Sequence, residues 1–162
     1  MALHKTRIDI PAAKREKLVK LLNERLADLI DLKLQCKQAH WNVKGPNFIA
    51  LHELFDKQAE VVAGHVDEVA ERITTLGGTA DGGVATVAKR TSLSAYPQNL
   101  MSGMKHVDAL ATAFATVGKV VRKAIDEADE LEDADTADLF TGVSRDLDQQ
   151  LWFLEAHLQG TE

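Results

Sequence analysis

Along most of this chain apolar residues recur at steps of three and four, the period of a helix that buries one face. In the first long stretch, from about Pro11 to Trp41, Leu18, Leu21, Leu22, Leu26, Leu29, Ile30 and Leu34 keep that spacing, while Lys14, Arg15, Glu16, Lys17 and Glu24 cover the other side. Pro11 suits a first helical turn, where its missing N–H has no partner to lose. Lys44-Gly45-Pro46-Asn47 then breaks the pattern. A second helix is predicted from about Asn47, as its N-cap, to Leu76, where Gly77-Gly78 stops it. Asp81-Gly82-Gly83 through Pro97 reads as a long connection, with Val84 to Lys89 forming a short extra helix within it. The third long helix is expected from about Gln98 to Asp129 on a stripe of Leu100, Met104, Val107, Leu110, Phe114, Val117, Val121 and Ile125. The acidic stretch Asp126 to Asp138 holds the next turn. The fourth long helix follows to about Leu158, with Leu139, Phe140, Val143, Leu147, Leu151, Trp152 and Leu154 as its apolar residues.

Strand signals are absent. Four long helices with one long connection predict an all-α, ferritin-like four-helix bundle, with a short extra helix in the connection between the second and third long helices. Such a connection has to run the length of the bundle, so those two helices should be parallel neighbours. With 162 residues, 45% hydrophobic residues and 3 prolines, the chain reads as one domain over 11–162 behind a free N-terminal tail, 1–10.

Charge narrows the function classes. A net charge of −6 argues against a basic nucleic-acid surface and suits a protein that attracts cations. The single Cys36 excludes an internal disulfide framework and is expected to be a small buried hydrophobe. The N-terminal residues hold no apolar run of signal-peptide length, and no segment approaches the roughly 20 apolar residues of a membrane span. The expected location is the cytoplasm, nucleoid association included, with no membrane partner.

The chemistry concentrates on the second helix. At about 100° per residue, with His52 at zero, Asp56 falls near 40°, Asp67 near 60° and Glu71 near 100°. Four metal-ligating side chains thus share a face as two pairs, His52 with Asp56 and Asp67 with Glu71, each spaced i, i+4. The bland reading of such a stripe is a solvated face. Ala59 and Ala63 argue against it, because small residues between the pairs let another helix approach and partly bury the carboxylates. Asp56 and Asp67 lie about 16 Å apart along the axis, too far to share one ion with ligand bonds of roughly 2.0–2.2 Å. A second copy of the helix, packed antiparallel across a two-fold axis near Val61 and Val62, sets His52 and Asp56 of one copy against Asp67 and Glu71 of the other. Two identical sites result, roughly 20 Å apart. His40, which closes the first helix, can reach the same cluster. Two imidazoles with three carboxylates favour iron, manganese or zinc over calcium. An ordinary ferritin site uses Glu-x-x-His inside one bundle, and this chain has no Glu-x-x-His.

The stretch Lys37-Gln38-Ala39-His40-Trp41-Asn42-Val43-Lys44-Gly45-Pro46-Asn47-Phe48, with Leu51-His52-Glu53-Leu54-Phe55-Asp56 after it, resembles the first signature of the Dps family, the DNA-binding proteins from starved cells. His65-Val66-Asp67-Glu68-Val69-Ala70-Glu71-Arg72 and the C-terminal run from Thr136 to His157 are similar to that family too. The resemblance implies a miniferritin: a twelve-subunit shell built from two-fold dimers, which oxidises Fe(II), usually with hydrogen peroxide, and stores the iron. His40, His52, Asp56, Asp67 and Glu71 each match a family ligand position, with zinc or manganese as substitutes for iron. The alternatives are a DNA-compacting protein and a metal-binding shell without iron turnover. The tail offers only Lys5, Arg7 and His4, so DNA binding should be weak or absent at neutral pH.

Other polar and aromatic residues carry less. Trp41 and Trp152 are core aromatics or, by the resemblance, residues that intercept stray radicals. His65, near 220° on the same wheel, is structural or an interface hydrogen-bonder. Glu60, near 80°, is expected to be salt-bridged, with a spare iron-receiving carboxylate as the alternative. His106 and His157 have no visible partners. Asp129, Glu130, Glu132, Asp133, Asp135 and Asp138 form a solvated turn or, by the resemblance, an acid-lined inlet at a shell axis.

Overall fold

In a computed structural model, residues 3–160 are described, and they contain five helices and no strand. These are α1 (Ala12–Asn42), α2 (Phe48–Thr75), the short α3 (Val84–Arg90), α4 (Gly103–Glu130) and α5 (Ala134–Leu158). The expected all-α, ferritin-like bundle with its extra helix is what the chain forms. Its core holds Phe55, Phe114 and Phe140 among leucines of α1 and α4, and Cys36 is fully buried there as expected.

Packing defines two hairpins, α1 with α2 and α4 with α5, joined across α1·α4 and α2·α5. Gly78, just past α2, lies against Val19 near the start of α1. Gly103, opening α4, lies against Leu51 near the start of α2. Helices α2 and α4 are therefore parallel, as expected, but they occupy opposite corners and are not neighbours. The connection packs α3 along α1 and delivers α4 to the α1 side, where it runs antiparallel.

Several expectations from the pattern need correction. The third long helix begins at Gly103 rather than near Gln98, because Asn99 adopts φ 63° and cannot lie in a right-handed helix. Asn47 sits at the α2 N-cap and its carbonyl accepts the Leu51 N–H at 3.1 Å, but its side chain caps nothing. Leu34 and Trp152, assigned to apolar faces, are 51% and 59% exposed. Each lies about 200° from a core residue two positions away, Leu32 and Leu154, and so points out of the bundle. The acidic stretch is mostly helical: α4 runs to Glu130 and the reversal takes only Leu131 to Asp133, with Glu132 at φ 58°.

The segment before α1 is fastened, not free. The His4 N–H donates to the Gly77 carbonyl at 2.7 Å. Arg15 donates through Nε to the Ile10 carbonyl at 3.0 Å and through Nη1 to the Leu76 carbonyl at 2.8 Å. Gly77, at φ 84°, ends α2 in the left-handed conformation that satisfies terminal carbonyls. A Cβ there would lie 2.6 Å from the His4 carbonyl oxygen.

Close packing at the end of the first hairpin is testable at Gly78. A Cβ added there would meet the two Val19 methyls at 2.6 and 2.7 Å. Gly78→Ala should destabilise the protein by about 1–3 kcal/mol through overpacking, seen as a lower midpoint in guanidinium unfolding.

Candidate metal centre

The turn from Val43 to Asn47, with Gly45 at φ 109°, folds α2 back along α1. Val43, Leu51 and Phe55 bury their side chains beneath it. This packing brings His40, in the last turn of α1, against His52 in α2. The rings stack with centroids 3.7 Å apart and planes inclined by 20°. Each ring donates to the other residue's backbone: His40 Nδ1–H to the His52 carbonyl at 2.7 Å, and His52 Nδ1–H to the His40 carbonyl at 2.8 Å. A carbonyl can only accept, so both Nδ1 atoms carry the proton. In the neutral rings both Nε2 lone pairs are then free, the arrangement metal-binding histidines use. The second bond also satisfies one of the carbonyls left open at the end of α1.

Asp56 stands one turn beyond His52, and Lys37 Nζ donates to its Oδ1 at 2.5 Å. Lys37 also lies 5.9 Å from the Trp41 ring centre. The Lys37 hydrogen bond, with smaller contributions from His40 and His52 against the effect of burial, holds the Asp56 carboxyl below its usual range. The carboxylate is thus kept ionised. Lys37 was not singled out from sequence, although its place three residues before His40 puts it on the same helix face.

Asp67 and Glu71 are elsewhere. Both are exposed on α2, and their carboxylates have no hydrogen-bond or ion-pair partner among the described residues. Asp67 lies about 16 Å beyond Asp56 along the axis. The structure brings His40 and His52 together beside Asp56 and leaves Asp67 and Glu71 apart from them. Among the described residues, no group of three or more His, Cys, Asp or Glu is arranged within one chain to hold a metal ion.

The surrounding residues sort themselves out by contact. Ala59, expected to open the ligand face, is buried in the chain's own core, while Ala63 is half-buried. Gly64 is exposed, and a Cβ there would meet nothing within 4 Å. Glu60 is exposed and makes no ion pair among the described residues, contrary to the expected salt bridge. His65 is buried and bridges Glu68 Oε2 and Asp146 Oδ2, each at 2.9 Å, tying α2 to α5 as a structural residue. His106, expected to lack a partner, shares a hydrogen bond with the Tyr96 hydroxyl at 2.7 Å, and His157 donates to the Phe153 carbonyl at 2.7 Å. Trp41 and Trp152 are 64% and 59% exposed, so neither is a core aromatic. Within the acidic stretch, Asp133 is buried and each of its oxygens accepts from Arg72 Nη2 at 2.9 Å, with Thr136 as a further donor. Its carboxyl lies below the ordinary range because these bonds outweigh burial, the largest single influence. Glu132 pairs with Lys14.

Known proteins share this arrangement of helices. The family profile described as ferritin-like domain matches residues 19–162. The DNA protection during starvation protein of Agrobacterium fabrum is 50% identical over 159 residues, covering 98% of each chain. That of Mycolicibacterium smegmatis is 37% identical over 146 residues, or 90% of this chain and 79% of the relative. The solved structure of DpsC from Streptomyces coelicolor superposes with a TM-score of 0.94 at 30% identity, covering 99% of this chain and 94% of that one. Matched over nearly its whole length in sequence and in fold, the chain belongs to the Dps family of ferritin-like proteins.

Proposed function

We propose that this protein is a ferroxidase and iron store: it binds Fe(II) at sites shared between two copies of the chain, oxidises it with hydrogen peroxide, and keeps the product inside a hollow shell. The observation that carries the reading is the division of the ligand set. One end of α2 holds a half-site whose imidazoles are already oriented by reciprocal backbone bonds. The other end holds two exposed carboxylates without partners on the same helix. Antiparallel pairing of two α2 helices completes both halves at once and makes two sites per dimer.

In this reading His40 and His52 bind Fe(II) through Nε2 and tune its oxidation, while Asp56 and the partner copy's carboxylates stabilise Fe(III). Two Fe(II) ions each give one electron to hydrogen peroxide, which takes up two protons and leaves as two waters. Consuming both reactants together suppresses hydroxyl radical and protects DNA indirectly. Lys37 has to leave Asp56 when iron arrives. Its ammonium balances the carboxylate until then, so the half-site does not carry an unpaired charge. Zinc and manganese fit the same donors as substitutes. The assembly is a homo-dodecamer of two-fold dimers in the cytoplasm, and no described helix is long and apolar enough to cross a membrane. A native mass of twelve subunits is expected. A monomer or a 24-mer would reject this assembly.

DNA compaction is the less favoured reading. Lys5 and Arg7 sit on a segment held against the α2 terminus, on a chain of net charge −6. A fastened arm with two fixed cations gives little counterion release. No mobility shift is expected at neutral pH and physiological salt, and acidification, which charges histidines, should strengthen any binding. Submicromolar binding under the neutral conditions would overturn this.

The shared site is tested by co-expressing His52→Ala and Glu71→Ala chains. Each variant alone should lack peroxide-dependent iron oxidation followed by absorbance. A mixed dimer gathers both defects in one site and leaves the other intact. Co-assembled shells should therefore recover part of the rate, whereas a site built within one chain recovers none.

A further inference from the structure

The Tyr96–His106 pair lies outside the metal-binding half-site. Tyr96 comes from the long connection, and its hydroxyl shares a 2.7 Å hydrogen bond with His106 Nδ1 on α4, with ring centroids 6.0 Å apart. His106 is 2% exposed, and its Nε2 is buried without a hydrogen-bond partner. The pair sits at the end of the bundle that carries the histidine half-site: Gly103, one turn before His106, lies against Leu51 and Val43. Cys36, fully buried one turn before His40, acts electrostatically on the same phenol.

We propose that Tyr96 is the preferred one-electron donor of this protein, giving its electron to a strong oxidant while its hydroxyl proton passes to His106 Nδ1. The separation falls within the roughly 2.6–3.2 Å over which a positioned base takes a proton. Burial, with a smaller contribution from Cys36, raises the phenol above its ordinary range, so it does not ionise first and the proton has to leave with the electron. Burial also lowers the His106 imidazole, which keeps the ring neutral and able to take up a proton. Neither tryptophan has such an outlet: among the described residues no indole N–H makes a hydrogen bond, and both rings are largely exposed.

The role in the cell rests on the ferroxidase reading. When Fe(II) and peroxide escape the paired reaction they generate hydroxyl radical. Tyr96 reduces it to hydroxide and becomes a neutral tyrosyl radical, His106 becomes imidazolium, and a further Fe(II) returns the electron as Fe(III) while the proton moves back to the phenol. One hydroxyl radical and one Fe(II) thus give hydroxide and Fe(III) without lasting damage.

The chain has a single tyrosine, so any tyrosyl signal reports Tyr96. The iron-free assembly is oxidised by a flash-quenched ruthenium tris-bipyridine complex, frozen, and read by electron paramagnetic resonance. A tyrosyl signal is expected, absent in Tyr96→Phe. His106→Gln keeps a hydrogen-bond acceptor but not a base, and should cut the yield by about tenfold or more, with helical circular dichroism and native mass unchanged. A signal on tryptophan alone, or a tyrosyl yield that His106→Gln leaves intact, overturns the proposal and marks the pair as a structural tie. A parallel Fe(II) and peroxide reaction in which iron stays reduced defeats the ferroxidase reading alone.

Discussion

His40 and His52 exchange hydrogen bonds with each other's backbone, and this exchange organises the end of the molecule that carries the candidate ligands. It needs α1 and α2 to approach within van der Waals contact, which Ala39 allows and the buried Val43, Leu51 and Phe55 enforce. It fixes one tautomer for both rings and leaves two nitrogen lone pairs for a ligand. Burying apolar side chains in the first hairpin therefore does double service. The contacts that stabilise the hairpin also orient its two imidazoles, so a ligand taken by their Nε2 atoms would leave little ordering to be done.

Charge is arranged around that end with the same economy. Asp56 is held ionised by Lys37, which balances its charge. Asp67 and Glu71 stay in water, where two unpaired carboxylates cost little. Next to Glu71, Arg72 is locked into the buried Asp133 and Thr136, which ties the exposed end of α2 to the start of α5. The proposed half-sites thus lie at the two ends of α2, and among the described residues neither alone gathers three candidate ligands to hold an ion. The Tyr96–His106 bond joins the long connection to α4 in the interior, between a partly buried phenol and a buried imidazole.

Recurrent apolar spacing and the breakers at Gly45-Pro46 and Gly77-Gly78 were enough to place the first two helices within a residue or two, because helix burial repeats locally and turns require special residues. Local chemistry likewise singled out candidates: His52 with Asp56 and Asp67 with Glu71, since ligand types at i, i+4 spacing share a face, and His40 at the close of the first helix. The resemblance to Dps proteins rested on those same residues.

Tertiary structure decided the rest, through contacts between residues far apart in the chain. That α2 and α4 stand at opposite corners depends on which side of α1 the connection crosses. That the N-terminal segment is fastened depends on Arg15 and Gly77 meeting it. Leu34 and Trp152 look like core residues by type, but Leu32 and Leu154 are the ones packed inward, which turns the other two out of the bundle. The partners of Asp56, His65 and His106 are 19, 81 and 10 residues away. Periodicity says which side of a helix a residue lies on, but not what packs there. A side chain's charge, tautomer and chemistry follow from that neighbour.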